Sequence, residues 1–278
     1  MAKADIYKYL LGLCKTITVF TLAFGSQPLF AEKFASIIID DLGNSIQYGN
    51  AITSLPAALT IAVLPGAPFT RDIARLATKH HKEVMLHLPM QSVEHHIHTP
   101  GMLDLHMTKN EFIKQLRMDL SAVPYIRGVN NHMGSLLTQH PGHMDWLMNE
   151  LSRRGDLYFI DSKTTNKSIA DKIATEYKVP NLSRDFFLDP DDNPNTLARQ
   201  FKRFIKKVNR RGYALAIAHP YPSTIKFLKA HLDELKQHGI KLIPVSKLIS
   251  LAQRRQTHPN NKQEKRHVAC TGTTCSGL

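Results

Sequence analysis

Cysteine is scarce in this sequence. Its 278 residues include Cys14, Cys270 and Cys275 and no other cysteine. The last two lie near the C-terminus without further cysteine or histidine residues at zinc-ligand spacing, which argues against a structural zinc site there. A short disulfide between them is feasible only if the chain is exported to an oxidising compartment.

Acidic residues are also few. The chain has 36 Lys and Arg against 23 Asp and Glu, which gives a formal net charge of +13. Much of the excess lies in residues 196–211, where apolar residues recur at helical spacing and basic residues cover the other positions. A solvated helix face explains this pattern, and attraction to anionic envelope polymers is the alternative. Because no nucleic-acid-binding module is recognisable, nucleic acid is not expected as a partner.

The N-terminus has the order of regions that is typical of a secretory signal. Lys3, Lys8 and Lys15 accompany the apolar run from Ile17 to Phe24, and a polar break then leads to Ala31. The apolar run is too short to span a bilayer comfortably. Residues 1–31 are therefore predicted to be a signal peptide, which implies an exported, periplasmic protein. An uncleaved anchor is the alternative, and membrane contact is expected only through this segment.

Beyond the signal, short apolar runs alternate with longer segments of helical periodicity. The predicted strands are 34–40, 59–63, 83–88, 127–131, 157–161, 181–187, 213–219 and 241–245. The predicted helices are 71–81, 109–122, 144–154, 168–177, 196–211 and 224–237. This alternation predicts a parallel α/β sheet in a single domain over residues 32–250, and about eight strands favour a closed barrel over a doubly wound sheet. Residues 251–278 are predicted to be a disordered basic tail.

Five predicted strands end in polar or ionisable residues after an apolar run. The endings are Asp40-Asp41, His87, Asn130-Asn131-His132, Asp161 and His219. In a parallel barrel such ends emerge on one face, which is where these enzymes carry their sites. The segment Ser183-Arg184-Asp185 and Asn44 are expected to reach the same mouth.

These residue types indicate metal-assisted hydrolysis. Zn²⁺ accepts histidine nitrogen and aspartate oxygen as ligands, and a catalytic site leaves a position open for water. Asp41, His87 and His132 are the predicted metal ligands. Asp40 is the predicted general base and His219 the predicted acid. Asn130, Asn131 and Ser135 are placed to orient His132.

Each of these residues also has a structural explanation. The pair Asp40-Asp41 before Leu-Gly also suits a strand-end turn or a helix cap. His87 also suits a buried histidine with satisfied hydrogen bonds, and His219 a strand-end histidine held by a carbonyl. Asp161 is predicted to be catalytic or to cap the loop that follows it. The histidines of the 95–106 loop have no regular ligand spacing and are predicted to be mostly exposed.

Six segments together resemble a known family. They are IIIDDLGN, MLHLPMQ, GVNNHMGS, FIDSKTT, SRDFFLD and AIAHPYPST, in this order, within Phe34 to Ser250. This pattern resembles the divergent polysaccharide deacetylase family, distant relatives of the NodB-type carbohydrate deacetylases. The resemblance implies a NodB-like distorted (β/α) barrel with seven or eight parallel strands. It also implies a divalent metal, Asp40 as base, Asp41 as ligand and His219 as acid.

The sequence departs from the NodB-type pattern at two places. That pattern has two metal histidines four residues apart, whereas His87 is followed at this spacing by Gln91, a poor zinc ligand. His132 is therefore the candidate for the missing ligand. NNHMGS replaces the arginine and proline segment of the NodB-type enzymes, so substrate contacts cannot be transferred. Asn131, Ser135, Arg184 and Asp185 are the predicted substrate-binding residues.

The expected function is deacetylation of an N-acetylated envelope or extracellular polysaccharide with a divalent metal, Zn²⁺ by its ligand types. The expected partner is thus a polysaccharide or amino-sugar polymer. One alternative is a non-catalytic carbohydrate-binding or envelope-interaction protein on the same barrel, which Gln91 favours. Another is a metal-dependent hydrolase of phosphate or ester bonds, since the ligand types do not determine the bond that is cleaved.

Overall fold

The structure, a computed structural model, describes residues 32–94 and 99–257. The predicted signal peptide, His95, His96, His98 and most of the predicted tail lie outside the described residues. The strands are β1 (Lys33–Leu42), β2 (Thr60–Val63), β3 (Glu83–Met90), β4 (Ile126–Met133), β5 (Tyr158–Asp161), β6 (Asn181–Ser183), β7 (Phe186–Phe187), β8 (Tyr213–Ala218) and β9 (Ile240–Leu242). The helices are α1 (Ile46–Thr53), α2 (Thr70–Lys79), α3 (Lys109–Ala122), α4 (Pro141–Arg154), α5 (Ala170–Glu176), α6 (Pro194–Arg211), α7 (Pro222–Gln237) and α8 (Val245–Thr257), with a 3₁₀ turn at Leu137–Gln139.

All strands pair in parallel, in the order β6-β5-β4-β3-β2-β1-β8-β7, and β9 pairs with the start of β1. Only Arg184 and Asp185 separate β6 from β7, the two ends of this order. The Arg184 N–H donates to the Asp161 carbonyl after β5, and the next N–H, from Asp185, donates to the Leu215 carbonyl in β8. The β6–β7 segment therefore bridges the two edges, and the sheet closes into a distorted barrel. This confirms the predicted fold.

The two faces of the sheet have different partners. Ile37 and Ile39 belong to the apolar cluster between the sheet and the surrounding helices. Ile38, with Met85 of β3 and Ile217 of β8, belongs to a second cluster inside the barrel. Because successive side chains of a strand point to opposite faces, the position of one residue determines which later residues face the interior.

Helix α8 closes the barrel at the amino ends of the strands. Leu248, Ile249 and Ala252 are buried in the interior cluster, and the helix begins with Val245. Glu83 at the start of β3 accepts hydrogen bonds from the Ser246 N–H of this helix and from the Tyr158 hydroxyl. This burial corrects the predicted boundary: residues 251–257 continue α8, so the predicted disordered tail does not begin at residue 251.

Two other predictions differ from the structure. The strand predicted at 241–245 is shorter, because α8 begins at Val245, and the strand predicted at 181–187 is divided into β6 and β7. Helix α1 was not predicted; it begins after Ser45, whose side chain accepts from the Tyr48 N–H. In the described part of the chain, no helix has both the length and the apolar character required to cross a membrane.

Candidate metal centre

Strand alternation brings the predicted site residues to the inside of the barrel mouth. Asp40 shares the interior face of β1 with Ile38, and His87 shares that of β3 with Met85. In β4, Val129 packs outwards. By the same alternation Asn130, which follows it, and His132, two residues further on, face inwards. His219 follows β8 two residues after the inward-facing Ile217 and therefore also faces inwards. The sequence places all of these residues at carboxyl ends of strands.

A bulge in β1 brings Asp41 to the same mouth as Asp40. Ile39 pairs with Ile61 and Leu42 pairs with Val63, so β1 contains one more residue than β2 between these pairs. Asp41 has a φ of 55°, in the left-handed region that an aspartate tolerates better than most residues. This local turn cancels the alternation that normally sends adjacent side chains to opposite faces.

Three ligand atoms converge at the mouth. The distance between His87 Nε2 and Asp41 Oδ1 is 3.0 Å, that between His132 Nδ1 and Asp41 Oδ1 is 2.9 Å, and that between the two ring nitrogens is 3.1 Å. Among the described residues these side chains are the group of histidine, cysteine and carboxylate residues whose spacing suits a metal ion. Two imidazoles and one carboxylate are a typical donor set for Zn²⁺.

Asn130 orients His87 and holds Asp40 beside it. The Asn130 Nδ2 donates to Asp40 Oδ1 at 2.8 Å, so its Oδ1 faces His87 Nδ1 at 2.9 Å. Since a carbonyl oxygen only accepts, His87 Nδ1 must be the donor. The other nitrogen, Nε2, then presents either a second proton or a lone pair to Asp41. An outer partner that selects the ring tautomer in this way is typical of metal-binding histidines.

The charges around this group favour a cation. Burial by itself would lower the pKa of His87, but the charges of Asp40 and Asp41 and the hydrogen bond to Asp41 raise it above its ordinary value. Burial would raise the pKa of Asp41, but hydrogen bonds from His132 and His87 hold it well below its usual range. The same field that retains a proton on His87 attracts a divalent cation to the shared space.

Asp40 lies deeper than the three ligands. Only 2% of its surface is exposed, and burial raises its pKa although His87 and His219 oppose the shift. Its Oδ1 is 3.7 Å from His87 Nδ1. A carboxylate with a raised pKa beside a metal site is suited to accept a proton from water.

His219 is positioned by Asp189, a residue that the sequence interpretation did not select. His219 Nδ1 lies 2.9 Å from Asp189 Oδ1, while Asp189 Oδ2 accepts from the His219 N–H and from the Thr224 hydroxyl. Burial by itself would lower the pKa of His219, but the hydrogen bond and charge of Asp189 raise it to about 9. Its spacing in the sequence could have identified Asp189: it lies two residues after Phe187, which packs against the interior cluster, and therefore faces the same side.

Aromatic and basic side chains line this side of the mouth. The His219 ring stacks on Phe187, with centroids 5.8 Å apart, and its other neighbour is the Tyr221 ring at 5.4 Å. The Arg184 guanidinium lies 3.6 Å from the centroid of Phe187. Arg184, which was predicted to bind substrate, therefore lies one ring away from the predicted acid.

Other predicted site residues point away from the interior of the mouth. Asp161 lies two residues after Phe159, which packs outwards, so its side chain points outwards as well. It accepts from the Ser168 hydroxyl and from the Lys163 N–H and ammonium group. This is the loop cap that was the alternative to a catalytic role. Asp185 likewise faces α6, where it pairs with Lys207 and Arg211.

Asn131 and Ser135 connect loops. Asn131 Nδ2 donates to the Met133 carbonyl and its Oδ1 accepts from the Ser162 N–H, while the Ser135 hydroxyl accepts from the Val93 N–H. Asn131 therefore uses both atoms of its amide within the protein, and Ser135 holds Val93; a substrate contact of either residue stays a prediction.

Gln91 also has a structural role. Its side-chain oxygen accepts from the Leu105 N–H at 2.9 Å, and its backbone carbonyl accepts from Leu136 and Leu137. The residue at the expected position of a second NodB-type histidine thus holds two loops together. His106 is exposed and lies outside the group of three metal-ligating residues.

Comparison with known proteins supports the family resemblance. The sequence matches the divergent polysaccharide deacetylase family over residues 37–249. An uncharacterized protein of Haemophilus influenzae is 35% identical over 234 residues, which cover 84% of this chain and 83% of that protein. An uncharacterized protein of Escherichia coli, YibQ, is also 35% identical, over 81% of this chain and 70% of its own length.

Solved structures with a similar fold include an uncharacterized bacterial protein. The uncharacterized protein ATU2773 of Agrobacterium tumefaciens has a TM-score of 0.74 and 20% identity, over 78% of this chain and 89% of that one. At this identity the likeness supports the fold alone, whereas the sequence match extends over most of the barrel. The chain belongs to the divergent polysaccharide deacetylase family.

Proposed function

We propose that this protein is a metal-dependent hydrolase that removes acetyl groups from an N-acetylated envelope polysaccharide. The observation that carries the proposal is the convergence of Asp41, His87 and His132 within 3.1 Å of one another, with Asp40 beside them. The family supplies the substrate class, and the donor atoms supply the chemistry.

The three side chains fit a divalent cation, for which we propose Zn²⁺. The Asn130 carbonyl accepts from His87 Nδ1, which leaves Nε2 available as a ligand towards Asp41. When bound, the cation supplies Lewis-acid activation of water and of the acyl oxygen. Because His132 supplies the second histidine ligand, none is required at position 91. The Gln91 side chain instead accepts a hydrogen bond from the Leu105 N–H.

Asp40 and His219 are assigned opposite proton transfers. Asp40 accepts a proton from the water that attacks the acetyl carbonyl carbon, because its raised pKa allows it to hold that proton. His219 donates a proton to the amine nitrogen as the carbon–nitrogen bond breaks. The pKa of His219, raised to about 9 by Asp189, keeps its ring protonated near neutral pH. The products are acetate and a free amino sugar.

The test combines metal analysis with acetate release. Purified mature protein is expected to contain about one equivalent of zinc and to release acetate from N-acetylated oligosaccharides. Asp40→Asn is expected to abolish release while keeping the metal, and Asp41→Ala or His132→Ala to lose both. Asp72→Asn is the matched control, because Asp72 is exposed on α2 and is not one of the metal-ligating side chains.

Each other outcome contradicts part of the proposal. Full activity of Asp40→Asn would refute the assigned base. Zinc and glycan binding without acetate release would favour a carbohydrate-binding protein, and turnover of chromogenic phosphate or ester substrates alone would favour another hydrolase.

We also propose that the chain is exported to the periplasm. The proposal is supported by the order of basic, apolar and small residues in residues 1–31. Fractionation of cells that express the full chain, with N-terminal sequencing of the product, tests it. Recovery of the uncleaved chain from the cytoplasm would contradict it.

A further inference from the structure

We propose that Arg184 binds a carboxylate on the substrate, so that the preferred substrate is an acidic N-acetylated sugar. The inference rests on the proposed function, because it names the substrate class of the same mouth. It starts from a guanidinium that is well positioned and has no carboxylate partner within ion-pair distance in the described part of the chain.

Arg184 is held by backbone atoms and by a ring. Its Nε donates to the Ser162 carbonyl at 2.6 Å and its Nη2 to the Lys163 carbonyl at 2.8 Å. Its guanidinium carbon lies 3.6 Å from the centroid of Phe187. These contacts determine the plane and the direction of the group before any ligand arrives, which reduces the entropic cost of binding.

The contacts use only one edge of the guanidinium. The edge formed by Nε and Nη2 faces the two carbonyls, whereas Nη1 has no hydrogen-bond partner among the described residues. The edge formed by Nη1 and Nη2 is therefore the one that can accept a ligand. Paired N–H donors on one edge match the two oxygens of a carboxylate.

The nearby carboxylates do not neutralise Arg184. Burial lowers the pKa of Arg184, and Asp161, Asp40 and Asp185 oppose this shift only through their charges, without a hydrogen bond. Asp161 is paired with Lys163, Asp185 with Lys207, and Asp40 accepts from Asn130. An incoming carboxylate therefore does not have to displace an existing ion pair.

The position of Arg184 is suited to a substituent of the reacting sugar. The guanidinium of Arg184 and the ring of His219, the proposed acid, both pack against Phe187 at the mouth. The three neighbouring carboxylates make a doubly charged phosphate less favourable here than a singly charged carboxylate. The chemical class is therefore an N-acetylated sugar that carries a carboxylate close to its acetamido group.

The experiment compares two sugars that differ by this group. The methyl glycosides of N-acetylglucosamine and N-acetylmuramic acid share the ring and the acetamide, and only the second has a carboxylate, on an ether at position 3. The zinc-loaded full chain is titrated with each by calorimetry, and kcat/KM is measured by acetate release. We expect the acidic sugar to bind about 10- to 100-fold more tightly, the range for charge-assisted hydrogen bonds.

Arg184→Gln is expected to remove this preference, so that the acidic sugar binds no more tightly than the neutral one. Arg184→Lys keeps the charge without the paired edge and is expected to retain part of the preference. Arg203→Gln is the matched control, because Arg203 also lies over a phenylalanine, Phe186, but is exposed on α6. Circular dichroism checks the folding of each variant, and the lysine variant provides the test if the glutamine variant does not fold.

An equal loss of affinity for the two sugars in Arg184→Gln would overturn the inference. It would indicate that Arg184 acts by balancing the charge of Asp40. Equal binding of the two sugars by the unaltered chain would overturn it as well. A preference for the acidic sugar that disappears in Arg184→Gln, without acetate release from either, would support the inference and contradict the deacetylase function. Failure of the two proposals is thereby distinguished.

Discussion

Asn130 is expected to control metal affinity without contacting the metal. Its side chain is fully buried and joins His87 to Asp40 through hydrogen bonds of 2.9 and 2.8 Å. Asn130→Ala removes the acceptor that keeps a proton on His87 Nδ1. Either ring nitrogen can then carry that proton, so Nε2 is less available as a metal ligand. Loss of such an outer partner typically weakens metal binding by about 10- to 100-fold, or roughly 1.4–2.8 kcal/mol.

The same substitution is expected to reduce stability. It leaves His87 Nδ1 and Asp40 Oδ1 without their partner in a buried site. Each unsatisfied buried group costs about 1–3 kcal/mol, so the free energy of unfolding of the metal-free protein should fall by about 2–6 kcal/mol. A change in metal affinity therefore has to be separated from a general loss of stability.

Asn131→Ala provides that separation. Asn131 is adjacent and 1% exposed, and its side chain hydrogen-bonds to the Ser162 N–H and the Met133 carbonyl rather than to the side chains of the three ligands. Both variants should lose stability in urea unfolding, whereas only Asn130→Ala should lose zinc in competition with a chromogenic chelator. Unchanged zinc affinity in Asn130→Ala, or an equal loss in both variants, would refute the reasoning.

Three further predictions concern pKa values and packing. Burial raises the pKa of Asp119 to about 7, so the folded state retains a proton that the unfolded state releases, and stability should fall by roughly 2–4 kcal/mol from pH 4 to 7. Urea unfolding across this range should show that fall in the unaltered chain and not in Asp119→Asn. Asp189→Asn should lower the pKa of His219 from about 9 towards or below its ordinary value, as measured by NMR titration of the ring. Gly128→Ala should destabilise the fold by about 1–3 kcal/mol in thermal unfolding, because its Cβ would lie 2.2 Å from the Tyr158 ring; an unchanged melting temperature would show that the ring can move.

Local signals were sufficient for much of the fold. Helix α3 occupies Lys109–Ala122, as predicted, because Thr108 and Glu111 form a capping box at its start. The apolar runs of β1, β2 and β8 were also identified, since a parallel strand that is buried on both faces is mostly apolar. The short helix α1 has little periodicity and was missed.

Helix α8 shows where local signals were insufficient. Its sequence contains Arg254 and Arg255 and continues into a polar segment, so the pattern favoured a tail. Its buried residues, among them Leu248 and Ala252, are stabilised by the floor of the barrel, which is assembled from several strands. This stabilisation depends on tertiary contacts that no window of sequence contains.

The candidate site divides in the same way. The order of apolar runs and polar endings determined that Asp40, Asp41, His87, His132 and His219 occur at carboxyl ends of parallel strands, because that position follows from chain order alone. Only the tertiary structure decided which endings face inwards. The bulge in β1 brings both Asp40 and Asp41 to the mouth. In β5 the regular alternation turns Asp161 outwards, where it caps the loop that follows. A shift of one residue reverses the direction of a strand side chain, and such a shift depends on pairing with neighbouring strands.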